Sequence, residues 1–263
     1  MADEPVVLAQ DGAVATILLN RPDKLNAIDE GVRGGLAAAL STVAHEPSIR
    51  VAVLTGAGRG FCAGGDIRTM VELKQNHQST VFRSYLEAGH EVVRSIRRMP
   101  KMVIAAVNGP AAGAGMNLAL ACDLRIASDQ ANFSQAFVSI GLHPDWGGTF
   151  FVPRMVGIGR AIEILALGDA IPADEAHRWG LVNFLVPAAT LGEETRRLAT
   201  RLAAAPSLPL ALLKQALYER LETEMDRMME HEVDAQMKCF DSDDFGEGIT
   251  AFLEKRKPKF KGR

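Results

Sequence analysis

"MVIAAVNGPAAGAGMNLALACD", residues 102–123, runs from a β-branched apolar stretch through Asn-Gly-Pro into small residues, then directly into "MNLALAC". A strand that turns through glycine straight into a helix is the basic unit of α/β architecture. The small residues at 111–115 let another group approach the backbone closely. The first turn of the following helix offers unpaired N–H donors at its positive end, a place to hold a negatively charged oxygen. Tight helix–strand packing would explain one such segment equally well. A second segment, "GRGFCAGGDI" (58–67), also follows a strand-like run, and packing alone accounts less well for two.

The same alternation extends on both sides. "VATILLN" (14–20) and "RVAVLTG" (50–56) read as strands ending in turn residues. Between them, "DEGVRGGLAAALSTVAHE" has apolar residues at helical spacing behind a capping Asp29, and 79–100 is a long amphipathic helix closed by Pro100. From about Thr190 the sequence turns wholly helix-like. The expected division is therefore an α/β core over 1–190 and a helical region over 191–263, serving as a second domain or an oligomerisation element.

Composition removes several classes. Hydrophobic residues are 48% and charged residues 23% of 263, with net charge −3, ordinary for a water-soluble globular chain. A pI near 6.1 gives no electrostatic reason to expect nucleic acid or an anionic membrane as partner. Only "KRKPKFKGR" is basic, as a solvated tail or a small anionic site. No apolar run approaches the roughly 18 residues of a membrane span. The first residues, "MADEPVVLAQ", do not resemble a secretion signal. Three widely spaced cysteines, Cys62, Cys122 and Cys239, form no disulfide framework, and the expected location is cytoplasmic.

Motifs for common cofactors are missing. "TGAGRGF" (55–61) has the wrong spacing for a dinucleotide loop, and no P-loop or G-x-S-x-G elbow occurs. His90-Glu91 and His231-Glu232 are followed four residues after the histidine by Arg94 and Ala235, so neither is a zinc motif, and no metal is expected. What remains is "GLHPDWGGT" (141–149), where Asp145 either shapes a turn or is a carboxylate held beside something reactive.

At this point the sequence resembles the enoyl-CoA hydratase/isomerase (crotonase) superfamily. "FCAGGDI", "AAVNGPAAGAGMNLALACDLRIAS", "GLHPDWGGT", "ALGDAIPADEAHRWGLVNFLVP" and "AFLEKRKPKF" carry the likeness, which runs from "LLNRPDKLNAI" (18–28) to the end. The resemblance implies a crotonase-type spiral α/β core of repeated ββα units and a helical C-terminal trimerisation region. It also implies acyl-CoA thioester substrates. No separate cofactor is expected, coenzyme A being part of the substrate, and the assembly would be a homotrimer or dimer of trimers.

Residue roles follow from the resemblance. The backbone N–H groups of Gly65 and Ala114 would hold a thioester enolate. Lys24, Ala27, Ala63, Asp66, Ile67, Phe252 and Lys255 would contact coenzyme A, the last two from the same or a neighbouring subunit. Pocket walls are expected from Met70, Phe82, His90, Phe137 and Trp146. The two glutamates usual in hydratases are replaced by Asn117 and Phe137, whereas Asp145 stands where hydratases commonly have glycine. An acid in that loop shuttles protons in enoyl-CoA isomerases, including a phenylacetate-pathway branch whose context this sequence most resembles, and is a nucleophile in an aryl-CoA dehalogenase branch. His90 matches a histidine of the latter, though a half-buried histidine on an amphipathic helix is the plainer reading. The expectation is an isomerase moving a double bond through an enolate. An atypical hydratase and a non-catalytic acyl-CoA binder are the alternatives.

Overall fold

Strands β1 (Val6–Asp11) and β2 (Val14–Leu19) form an antiparallel hairpin around Gly12, whose φ of +56° suits glycine. The computed structural model describes residues 4–263. Helix α1 (Glu30–His45) starts where Asp29 accepts a hydrogen bond from the Val32 N–H at 2.9 Å, as its capping pattern predicts. It leads to β3 (Val51–Gly56), parallel to β2. Helices α2 (Ile67–Gln75) and α3 (Ser79–Arg98) precede β4 (Met102–Val107), parallel to β3.

The strand–strand–helix rhythm then becomes explicit. Strand β5 (Ala111–Ala112) runs into α4 (Ala114–Ala121), and β6 (Leu124–Ser128) and β7 (Asn132–Ser134) lead to α5 (Gly148–Leu167). The chain closes with β8 (Ile171–Pro172), α6 (Ala173–Arg178), β9 (Phe184–Val186), α7 (Leu191–Ala204), α8 (Ser207–Asp241) and α9 (Asp243–Leu253). One sheet has the order β1-β2-β3-β4-β6-β9, and a smaller one the order β5-β7-β8. The alternation of strands and helices in an α/β core is as expected from the sequence.

The central strands β3 and β4 are covered on both faces, which is why they are apolar almost throughout rather than alternating. One face presents Ala52, Leu54, Val103 and Val107 to the main core with α1, α3 and α4. The other presents Val51, Val53, Ile104, Ala106 and Ile126 to Leu191, Ala199 and Ala203 of α7. The helical C-terminal region is thus no separate layer. Met225, Met229, Val233 and Phe240 of α8 and Phe245 and Ile249 of α9 lie in the main core, completing it against α3 and α5. The basic tail folds back on α9, where Glu247 accepts Arg256 at 2.6 Å and Asp244 accepts the Lys261 and Gly262 N–H groups at 2.6 and 2.7 Å. Among the described residues, no helix is long and apolar enough to cross a membrane.

Candidate active site

Two loops at the ends of β3 and β4 are stitched together by backbone hydrogen bonds. The Cys62 N–H donates to the Pro110 carbonyl at 3.1 Å, and the Ala112 N–H to the Cys62 carbonyl at 2.9 Å. A Cβ on Gly64 (φ +88°) would lie 2.7 Å from the Ala112 oxygen and 3.5 Å from the Ala114 nitrogen, so only glycine allows this approach. "TGAGRGF" is a packing turn: the Asn26 amide donates to the carbonyls of Ala57 and Gly60, and the Asn108 amide to those of Gly58 and Gly60.

The Gly65 N–H is left free by its neighbours. Ile28 bonds the carbonyl of Gly64 and accepts from the N–H of Asp66, so the ladder skips Gly65 itself. Ala114 is the first residue of α4, where the N–H has no intrahelical partner. Neither N–H is used by another backbone group among the described residues. Both residues line one narrow cavity of about 50 Å³, together with Asp66, Met70, Phe82, Phe137, Asp145 and Trp146. Eight residues named from the sequence therefore converge on one place.

Asp145 enters this cavity from the loop before α5, held from α4 and α8. Its backbone carbonyl accepts the Asn117 side-chain amide at 2.7 Å, and Asn117 in turn accepts from Gln135 Nε2 at 2.6 Å. The Gln236 amide of α8 donates to Asp145 Oδ2 at 3.1 Å. Oδ1 is buried without a partner. Burial and, to a smaller extent, the nearby Glu232 charge push the Asp145 carboxyl from its ordinary 3.8 up to about 8, against the Gln236 hydrogen bond. Trp146 (φ +53°) and Gly147 (φ +79°) turn the chain sharply behind it. The indole of Trp146 rests where Gly89 lacks a side chain: a Cβ there would lie 2.4 Å from Nε1.

Glu232, fully buried on α8, closes the loop from below. It accepts the N–H groups of Gly147 at 2.8 Å and Thr149 at 2.9 Å, at the start of α5, where the helix dipole favours an anion. His90 does not line the cavity, a correction to its expected place in the pocket. It is buried within α3, with Nε2 3.4 Å from Glu232 Oε2 and outside hydrogen-bonding geometry. The amphipathic period of α3 turns it toward α8, on the same side as Val93.

Of the residues expected to contact coenzyme A, those at 24–27 and 63–67 lie on two loops joined by backbone hydrogen bonds, the Ile28 N–H donating to the Gly64 carbonyl and the Asp66 N–H to that of Ile28. Asp66 caps α2 and pairs with Arg21 at 3.0 Å; Ile67 begins that helix; Ala63 donates its N–H to the Leu25 carbonyl at 2.9 Å. Ala27 is buried and Lys24 exposed. Phe252 and Lys255 are both exposed, and neither reaches the cavity within one chain.

Arg33, Tyr85, Glu232 and Gln236 were not anticipated. Glu232 and Gln236 stand four apart on α8, which puts them on one face. Arg33 shares the buried stripe of α1 with Leu36 and Leu40. Charged or amide residues on an otherwise apolar stripe were the available signal.

Two main-chain N–H groups without backbone partners and one carboxyl oxygen buried without a partner line the same narrow cavity, the kinds of group that hold negative charge and move protons. The family model for enoyl-CoA hydratase/isomerase matches residues 9–263, and the chain belongs to that family. It is 40% identical over 250 residues to a 1,2-epoxyphenylacetyl-CoA isomerase of Escherichia coli (strain K12), covering 95% of each. It is 41% identical over 261 residues to a crotonyl-CoA hydratase of Syntrophomonas wolfei, covering 99% of each. An enoyl-CoA hydratase from Mycobacterium avium subsp. paratuberculosis superposes with a TM-score of 0.89 at 36% identity, with 98% of each chain covered.

Proposed function

We propose that this enzyme is an enoyl-CoA isomerase in which Asp145 shuttles a proton across a thioester enolate. The carrying observation is the unpartnered, buried Oδ1 of Asp145 in the cavity that also holds the free N–H groups of Gly65 and Ala114. The thioester oxygen accepts from both N–H groups. The Asp145 carboxylate takes a proton from C2 of a 3-enoyl thioester; the C2–H electrons move into the dienolate, and the oxygen carries the charge. The protonated Asp145 then returns the proton at C4, leaving a conjugated 2-enoyl thioester and restoring the carboxylate. With a pKa near 8 the group is poised to take and to return a proton near neutral pH.

Hydration needs a base for water and an acid for carbon. The usual carboxylate positions hold Phe137 and the fully committed Asn117, which argues for isomerisation although relatives of both names exist. Exposed Leu208, Leu212, Leu213 and Leu217 on α8 fit burial in a homotrimer, with Phe252 and Lys255 reaching a neighbouring subunit's coenzyme A. The test is incubation with a 3-enoyl-CoA and with crotonyl-CoA. Isomerisation raises ultraviolet absorbance at constant mass. A product heavier by one water from crotonyl-CoA, with no isomerisation, would overturn the reading.

A further inference from the structure

Three side chains hold the loop that carries Asp145, and they grip different parts of it. Glu232 accepts the Gly147 and Thr149 N–H groups, and Asn117 donates to the Asp145 carbonyl, so both hold the main chain. Among the described residues, Gln236 of α8 is the one side chain that bonds the Asp145 carboxyl itself. It is buried, on a helix whose neighbouring buried positions Met229, Val233 and Phe240 are core residues. An amide there is costly unless both of its ends are bonded, and both are. Its Oε1 accepts the His143 N–H at 3.0 Å, and its Nε2 donates to Asp145 Oδ2 at 3.1 Å.

The first of these bonds fixes the sense of the second. A backbone N–H only donates, so the amide oxygen of Gln236 must face His143 and the amide nitrogen must face Asp145. That nitrogen accepts nothing, so Oδ2 has no group on this side to receive a proton from it. A neutral Asp145 therefore carries its proton on Oδ1, the oxygen left without a partner at the cavity that Gly65 and Ala114 also line. The ionised carboxyl keeps the same bond at Oδ2. Gaining or losing a proton then requires no turn of the side chain.

We infer that Gln236 is a positioning residue for the proton transfer: tied to the His143 N–H, it holds Asp145 Oδ2 and reserves Oδ1 as the one oxygen that takes the proton from substrate and returns it. This rests on the reading of Asp145 as the shuttle. The C2–H bond breaks as an O–H bond forms at Oδ1, and the C2–H electron pair enters the dienolate. That O–H bond then breaks as the dienolate's electron pair forms the C4–H bond. Oδ2 keeps the Gln236 hydrogen bond throughout.

The first readout is the pH profile of a 3-enoyl-CoA assay. Gln236→Met removes the donor at similar volume, and should raise the midpoint of the rising limb of kcat/KM by about one to two pH units. On the high-pH plateau kcat should fall about ten- to a hundredfold, with KM within about twofold, because Oδ1 is no longer held toward the cavity. Gln236→Glu can donate to Oδ2 only while protonated, so its rising limb should be followed by a fall as the second carboxyl ionises. The other titratable groups around the site are Glu232 and His231 of α8, His90 and Tyr85 of α3, Arg33, Asp66 and His143. All are unchanged in both variants, so the altered profiles report Gln236.

The second readout needs no substrate. The infrared C=O stretch of the protonated carboxyl is identified by its absence in Asp145→Asn. In wild type it should lie below that of an unbonded acid, because the carbonyl oxygen is the hydrogen-bonded Oδ2, and in Gln236→Met it should move up. A wild-type midpoint and plateau in Gln236→Met overturn the assignment and leave Asp145 as the shuttle. So does a wild-type stretch at the position of an unbonded acid, which decides the matter even if both variants fail to fold. An enzyme that moves no double bond overturns the isomerase reading, while the infrared band still shows whether Gln236 holds Oδ2.

Discussion

Asp145→Asn keeps the shape of the side chain and removes its titration, so it separates two consequences of the buried carboxyl. The asparagine oxygen can still accept from Gln236, and its amide then faces the cavity. In wild type the folded pKa of about 8 lies above the ordinary 3.8, so the folded state retains a proton that the unfolded chain releases. Stability therefore falls as pH rises through that window, and is fully recovered below its lower edge. At about 1.36 kcal/mol per pH unit over roughly three effective units, the loss between about pH 4.5 and pH 8 reaches about 4 kcal/mol. Water entering the cavity on ionisation would bring it toward about 2 kcal/mol. Urea unfolding across this range should show Asp145→Asn gaining about 2–4 kcal/mol on wild type as pH rises. Isomerase turnover should fall about 10²–10⁴-fold, the usual contribution of a general acid–base. A stability difference that stays flat with pH, together with near wild-type turnover, would refute both the burial argument and the catalytic role.

Ala114→Pro removes one donor at a position where a helix tolerates proline. It should lower kcat about 10²–10³-fold while circular dichroism stays unchanged. Unchanged kcat in steady-state assays would mean that the Ala114 N–H holds no developing charge. Glu232→Gln removes a negative neighbour that raises the Asp145 pKa, so the alkaline-rising limb of kcat/KM against pH should move to lower pH. Stability in urea should also drop by about 1–3 kcal/mol through weaker acceptance of the Gly147 and Thr149 N–H groups. Asn117→Leu leaves the Asp145 carbonyl without its side-chain donor and Gln135 Nε2 without its acceptor, at a cost of about 1–3 kcal/mol in the same assay. Gly89→Ala should displace the Trp146 indole, read as a shift in tryptophan fluorescence and a raised KM, because the added carbon has no room.

The succession of strands and glycine turns was legible in the chain because it is local: "VATILL", "VAVLTG" and "MVIAAV" are apolar runs ended by turn residues. The caps at Asp29 and the helix opening at Ala114 are local as well. The family motifs marked Gly65, Ala114 and Asp145, since main-chain donors need small residues at fixed spacing. Sheet order, the short strands β5, β7 and β8, and the role of α7 as cover for the second sheet face depend on pairings between distant segments. Periodicity carries no information about those. The partners of Asp145 are separated from it by 28 residues at Asn117 and 91 at Gln236, so no local pattern joins them. His90 shows the same limit in reverse. Its place on α3 was readable, but whether that side faced the cavity or the buried Glu232 was decided only when α8 packed against it. Arg33 read as an ordinary helix charge until folding buried it beside Tyr85 with Nη2 unpartnered, because desolvation is a property of the assembled cavity.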